Sequence, residues 1–328
     1  MSLPNTQPGV WPAIGAGRFA SGISRDDAAG CRVCLVGLPD DLGVRLNNGR
    51  PGAKEGPTAF RAALARYGTA WDAEGELELD VKVFDAGDVT PAPGDDAAAL
   101  LKTHARVTEA LLAVHAAGMV PVCVGGGHDL TFPTVRALAM ARGDMTGPLG
   151  GINVDAHLDV RETVGSGMPF RALIEGGFVD PRKFTVVGAG LFANTKEHHQ
   201  WLTSRGARVL GVEGVMEYGV SDADTFARSM RKAAIGSSQR LGTGFVSIDL
   251  DSIDASYAPG VSAMNPMGLS VRQVEQIARE AGEHPAVRHF DLMELSPPND
   301  KPAGAGMTAR IAALLFLSFV RGFAERAS

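Results

Sequence analysis

Eight short runs of apolar, mostly β-branched residues, separated by stretches long enough to hold a helix, constrain this chain more than any other feature. They read "CRVCLVGL" (31 to 38), "VKVFDAG" (81 to 87), "MVPVCVGG" (119 to 126), "LGGINVDA" (149 to 156), "KFTVVGAGL" (183 to 191), "ARVLGV" (207 to 212), "GFVSIDLD" (244 to 251) and "VRHFDLMEL" (287 to 295). Strands that are apolar without alternation are covered on both faces, and helix-length connections make neighbouring strands parallel. One connection, "DDAAALLKTHARVTEALLAVHAAG" (95 to 118), opens on acidic residues and closes on Gly118, the start and stop signals of a helix. The pattern predicts an α/β fold: a three-layer αβα sandwich around a central, mostly parallel sheet of about eight strands. Residues 31–328 are expected to form a single domain, with 1–30 as an irregular segment packed on it.

The chain is 45% hydrophobic and 21% charged, with a formal net charge of -6. No basic excess invites nucleic acid or an anionic membrane surface, so neither is expected as a partner. The apolar run within "ARIAALLFLSFVRGF" is too short to cross the ~30 Å hydrocarbon layer and is expected as a buried helix. The first basic residue is Arg18 and no apolar core precedes it, so a secretory leader is not expected. Three cysteines argue for a reducing compartment, and the expected location is the cytoplasm. Cys31 and Cys34 sit in a strand-like run whose alternation sends them to opposite faces, which favours a plain buried strand over metal or redox work.

In an open parallel sheet, ligands collect beyond the carboxyl ends of the strands. Here those ends are "GGGHD", "DAHLD", "DLDSID" and "ELSPPND". They bring His128, Asp155, His157, Asp159, Asp249, Asp251 and Glu294 into question. Four aspartates converging with two imidazoles are pushed toward protonation by burial and repulsion unless positive charge is supplied. Few lysines or arginines lie nearby in sequence, so cations are the simplest compensation. Six ligands exceed the roughly three that a catalytic zinc takes from protein, whereas two ions sharing bridging carboxylates use them all. Such ions sit ~3.5–4 Å apart and turn water into hydroxide at ordinary pH. Oxygen with imidazole suits Mn²⁺, other divalent transition ions being alternatives.

Each element has a plainer reading alone. "DLD" reads as a solvated strand end, the triple glycine as a tight turn or phosphate loop, and His128 as structural; the joint pattern at strand ends is what points to metal. His198 and His199, in "TKEHHQW", read as an exposed helix start.

Taken together, "GGGHD", "NVDAHLD", "SIDLDSIDASYAPG" and "DLMELSPPND" resemble the ureohydrolase superfamily, the dimanganese arginases and agmatinases. The resemblance implies an arginase-like fold and two Mn²⁺ per subunit. One ion would be held by His128, Asp155, Asp159 and Asp249, the other by Asp155, His157, Asp249 and Asp251. It also implies that Glu294 grips a cationic amidine-type group, and that the protein is a homo-oligomer acting on a small molecule. Within the superfamily, "GLPDDLGVRLNNGRPGAKEGPTAFR" (37 to 61), "GSGMPFR" (165 to 171) and "APGVSAMNPMGL" (258 to 269) look like formimidoylglutamase. Arginases and agmatinases usually carry a histidine where Ser166 stands.

The implied reaction is attack of a bridging hydroxide on N-formimidoyl-L-glutamate, giving L-glutamate and formamide in histidine degradation. Asp159 would carry the proton, and Glu294 would pair with the intermediate's nitrogen. Substrate-contact candidates are Arg45, Asn47, Arg50, Arg161, Ser166 and Arg171, since an arginine fork suits a carboxylate. The nearest alternative is an agmatinase or guanidino-acid hydrolase releasing urea. Alternatives of another class are a metal protein without catalysis and a nucleotide-binding module using "GAGLFANT" (188 to 195) or the triple glycine, although neither segment completes a dinucleotide fingerprint.

Overall fold

A two-residue strand, β1 (Thr6–Gln7), precedes the eight that the apolar runs predict. These are β2 (Val33–Leu38), β3 (Val83–Val89), β4 (Val120–Gly125), β5 (Leu149–Val154), β6 (Val179–Ala189), β7 (Arg208–Gly211), β8 (Gly244–Asp249) and β9 (Val287–Met293). The computed structural model describes residues 1–69, 81–142, 147–218, 243–300 and 306–326. Among the described residues, nine strands form one sheet in the order β1-β3-β2-β4-β9-β8-β5-β6-β7. Every pairing is parallel except that of β1 with β3. The sheet gains a strand over the eight expected because β1 carries no apolar pattern: Thr6 and Gln7 are recruited by backbone pairing with Val89 and Asp88.

The helices are α1 (Leu42–Leu46), α2 (Gly56–Leu64), α3 (Ala97–Ala116), α4 (Thr131–Arg142), α5 (Pro169–Glu175), α6 (Lys196–Thr203), α7 (Val212–Tyr218), α8 (Val271–Glu283) and α9 (Met307–Ala324). Local chemistry starts several of them. The Asp96 carboxylate accepts the Ala99 N–H at 2.8 Å ahead of α3, and Ser270 with Gln273 forms a reciprocal capping box at α8.

Alternation along β2 sends Val33 and Leu35 into one apolar layer and Cys34, Val36 and Leu38 into the other. The first layer is closed by α2, α7, α8 and α9 through Phe60, Val212, Ile277 and Phe316. The second is closed by α3, α4, α5 and α6 through Leu111, Leu138, Phe170 and Leu202. The αβα sandwich follows.

Cys31 departs from expectation. It precedes β2, so the pleat does not set its direction, and it borders the same layer as Cys34 rather than the opposite face. All three cysteines are free thiols.

The apolar run near the C-terminus forms α9, whose length and composition would let it cross a membrane; 67% of that window is buried inside the protein. It crosses α8 at a pair of glycines. A β-carbon on Gly322 would stand 2.0 Å from the Arg279 carbonyl oxygen, and one on Gly282 would stand 2.1 Å from that of Phe319.

Residues 1–30 contain β1 and a 3₁₀ turn at Phe19–Gly22. The Trp11 indole donates to Asp85 at 2.6 Å, and the buried Arg61 donates to Asp85 and Asp88. This network ties the segment to β3 and α2.

At the last turn of α3, the Nε2 of His115 is sealed from solvent without a hydrogen-bond partner. Burial, then His289 and Arg288, hold its imidazole down from 6.5 to about 3. The unfolded chain takes up this proton below its own pKa while the folded chain does not, so the contribution is complete above that value and shrinks as pH falls toward the folded one. Denaturant titrations at about pH 7.5 and about pH 5 should show the His115→Phe variant losing about 2 kcal/mol less stability than wild type over that interval. Equal losses in the two proteins would refute the assignment.

Candidate metal centre

Strands β4, β9, β8 and β5 lie side by side in the middle of the sheet, and their carboxyl ends open on the same edge. After β4 the chain turns at Gly126, where a β-carbon would stand 1.6 Å from the Asp40 carbonyl oxygen. The Gly126 carbonyl accepts the N–H of Glu294 at 2.9 Å. Only glycine permits this approach, so the triple glycine is a packing turn that sets His128 beside the end of β9. Asp155 follows the last residue of β5, Asp249 ends β8, Asp251 sits in the next 3₁₀ turn, and Glu294 follows Met293. Asp159 and Glu294 have φ of 49° and 64°, the left-handed region, at about 1–3 kcal/mol each for residues with a β-carbon. Asn5 and Asn48 share this region, which asparagine adopts more readily, whereas Asp159 and Glu294 both belong to the site.

The side chains converge in two groups. The Nδ1 of His128 lies 3.2 Å from Asp155 Oδ2, 2.9 Å from Asp159 Oδ2 and 3.1 Å from Asp249 Oδ2. The Nδ1 of His157 lies 3.4 Å from Asp155 Oδ1 and 3.1 Å from Asp251 Oδ2. Within each group the potential ligand atoms lie within 4.8 Å of one another. Asp155 belongs to both, presenting one oxygen to each. Asp249 presents Oδ2 to the first, while its Oδ1 accepts the Asp251 N–H at 2.8 Å.

Electrostatics show a shortage of positive charge. Burial opposes the His128 cation, yet the adjacent Asp155, Asp159 and Asp249 carboxylates raise its imidazole well above the usual range. Asp251 raises that of His157 against burial. Burial opposes ionisation of Asp155 too, but the two imidazoles hold it low. Burial and neighbouring carboxylates push Asp159, Asp249 and Asp251 upward, the last to about 6. Burial likewise lifts Glu294 to about 8, against hydrogen bonds from Ser262 and the His128 N–H and with repulsion from Asp251. Two imidazoles do not balance these carboxylates. His128 Nδ1 and Asp251 Oδ1 are, moreover, buried without a hydrogen-bond partner. Orphaned donor atoms and an oxygen-rich, imidazole-containing set fit a pair of divalent cations.

Above these groups opens a cleft lined by Asn47, His157, Asp159, Arg161, Ser166, Asn194, His198, Ser262 and Glu294, among others. Three substrate candidates therefore reach it. Arg161 donates to Asn47 Oδ1 at 2.6 Å, and Asn47 donates to Ser166 Oγ at 3.2 Å. The other three arginines are engaged elsewhere and do not line the cleft. Arg45 pairs with Asp41, and Arg171 pairs with Glu162 and Glu175 while stacking over Trp201. Arg50 donates to the carbonyls of Val261 and Ser262 and so positions the loop carrying Ser262.

Three polar cleft residues, Ser262, His198 and Asn194, carry no clear site signal in the sequence. Ser262, a donor to Glu294, lies inside "APGVSAMNPMGL", where a small hydroxyl among turn residues was the only signal. His198 was read as an exposed helix start and is half-buried on the cleft wall. The "GAGLFANT" loop has its own occupation: Asn194 donates to the Ala156 and Gly190 carbonyls and accepts the Leu158 N–H, fastening the loop over "DAHLD".

This arrangement has counterparts in known proteins. The chain is 36% identical over 306 residues to a formimidoylglutamase of Aromatoleum aromaticum, covering 90% of this chain and 84% of that one. It is 31% identical to the mitochondrial guanidino acid hydrolase of Homo sapiens, over 88% of this chain and 77% of that one. The crystal structure of Trypanosoma cruzi formiminoglutamase with Mn²⁺₂ superposes with a TM-score of 0.83 at 31% identity, covering 94% of this chain and 99% of that one. A sequence profile described as "Arginase family" matches residues 31–321, nearly the whole sheet and every residue of both aspartate–histidine groups. With fold, strand-end chemistry and sequence in agreement, the chain belongs to the arginase family.

Proposed function

We propose that this chain is a formimidoylglutamase, hydrolysing N-formimidoyl-L-glutamate to L-glutamate and formamide with two Mn²⁺ ions per subunit. The carrying observation is the convergence of His128, Asp155, Asp159 and Asp249 with His157 and Asp251 beneath a cleft that also holds Glu294. Likeness to formimidoylglutamases over most of the chain supports the substrate. One ion would be held by His128, Asp155, Asp159 and Asp249, and the other by Asp155, His157, Asp249 and Asp251. Two divalent ions bound there would supply Lewis-acid charge and lower the pKa of water at the site toward neutrality.

The chain's own residues do the remainder. Glu294 is held by the His128 N–H at 2.9 Å and by the Ser262 hydroxyl, and each of its oxygens keeps a lone pair for the substrate. An amidinium is planar, cationic and able to donate two parallel hydrogen bonds, so it pairs with this carboxylate and offsets its burial. Asp159, whose side chain is 12% exposed at the cleft floor, takes a proton from the attacking water at Oδ2 and passes it to the leaving nitrogen. Breaking that C–N bond releases the glutamate amine and leaves the carbonyl on formamide. Arg161, with Asn47 and Ser166, faces the carboxylates of the glutamate part at the rim.

The second reading, a guanidino-acid hydrolase releasing urea, is favoured by the likeness to the human enzyme, and a guanidinium would pair with Glu294 equally well. We further propose one domain over 31–328, a homo-oligomeric assembly and a cytoplasmic location, which the family resemblance and the free thiols support.

Product assays on formimidoylglutamate, agmatine, arginine and guanidino acids should show formamide from the first and little urea from the others; preferred urea release overturns the substrate assignment. Asp155→Asn and Asp249→Asn should each lower manganese content below two ions per chain by elemental analysis. Two ions retained in the Asp249→Asn protein would count against its bridging role. Glu294→Gln should keep both ions and lower kcat/KM by about a hundredfold or more. Wild-type turnover in that variant would remove Glu294 from the mechanism.

A further inference from the structure

We propose that Asp291, backed by His289, is a positioning residue that fixes the imidazole of His128 through Ser247; the inference rests on the metal reading above. His128 turns Nδ1 toward Asp155, Asp159 and Asp249, so as a ligand it carries its proton on Nε2, which lies 3.0 Å from Ser247 Oγ. Having accepted that hydrogen, Ser247 sends its own to Asp291 Oδ1 at 2.5 Å. The second oxygen of Asp291 takes the Thr131 hydroxyl at 3.2 Å and His289 Nε2 at 2.8 Å. Each of these five side chains is 1% exposed or less.

No lysine or arginine pairs with Asp291 among the described residues. A carboxylate this deep is costly beside an apolar residue of similar size, so packing alone does not account for it. It does account for a fixed hydrogen-bond direction: acceptor Asp291, donor Ser247, then acceptor Ser247, donor His128. That order selects one tautomer of His128 and one rotation of the ring, leaving the Nδ1 lone pair aimed at the aspartates.

The test is Mn²⁺ titration of the metal-stripped full chain by calorimetry, with circular dichroism to verify folding. Asp291→Asn should weaken the ion on the His128 side about 10–100-fold and leave the ion on the His157 side at wild-type affinity. Ser247→Ala, cutting the line in its middle, should do the same, and the double variant should be no weaker than either single one. Wild-type affinity in Asp291→Asn, equal weakening of both ions, or losses that add in the double variant would overturn the proposal. Should Asp291→Asn fail to fold, Ser247→Ala and His289→Gln decide: weakening confined to the His128 side supports the line, and wild-type affinity in both ends it. A wild-type chain that binds no Mn²⁺ sinks the metal reading as well. One that binds two ions, with Asp291→Asn binding them equally tightly, sinks this inference alone.

Discussion

Repulsion among carboxylates packed into the centre of one sheet edge is the constraint around which the rest of this protein is arranged. Asp155, Asp249, Asp251 and Glu294 are each 2% exposed or less, and two imidazoles are the basic side chains drawn in among them. Unpaired buried charges cost several kcal/mol each, more than a domain's usual margin of stability can absorb several times over. The fold answers partly with its backbone. The N–H groups of His157, Asp251 and His128 donate to Asp155, Asp249 and Glu294 at 2.6, 2.8 and 2.9 Å. These three carboxylates are thus oriented by main chain, and the remaining deficit of positive charge is of a kind that small dications meet.

The sheet supplies the rigidity this requires. Strands β8 and β9 come late in the chain yet insert between β4 and β5, so residues more than 100 positions apart meet at one edge. Parallel strands end their chains in the same direction, and the last residues of four adjacent strands have nowhere to point except toward one another or into solvent. Strain at Asp159 and Glu294 is held in place by backbone hydrogen bonds, the Asp159 carbonyl accepting the Phe170 N–H at 3.2 Å and the Glu294 N–H donating to the Gly126 carbonyl at 2.9 Å.

Much of this is written locally in the sequence. Runs such as "MVPVCVGG" declare buried parallel strands because both faces are covered, and "DAHLD" declares ligands because three polar groups in five residues have no packing reason. What stayed hidden is what depends on distant partners. Thr6 and Gln7 have no strand pattern and pair only because the edge of β3 is there. Arg50 and Arg161 look alike in sequence, yet one donates to carbonyls 211 and 212 residues away and the other faces the cleft. His198 sits among polar neighbours that signal solvent, and only the closing of loops over "DAHLD" turns it inward.

Floor and rim of the cleft have different origins. Asp155, Asp249 and Glu294 stand at strand ends locked into the sheet, whereas Asn47 follows α1, Arg161 and Ser166 share the connection between β5 and α5, and His198 stands in the first turn of α6. Mutation can therefore remodel which molecules enter without disturbing the machinery that acts on them. Such modularity lets one lineage spread across amidines and guanidines of different size and charge, each descendant inheriting its chemistry intact and renegotiating only its taste.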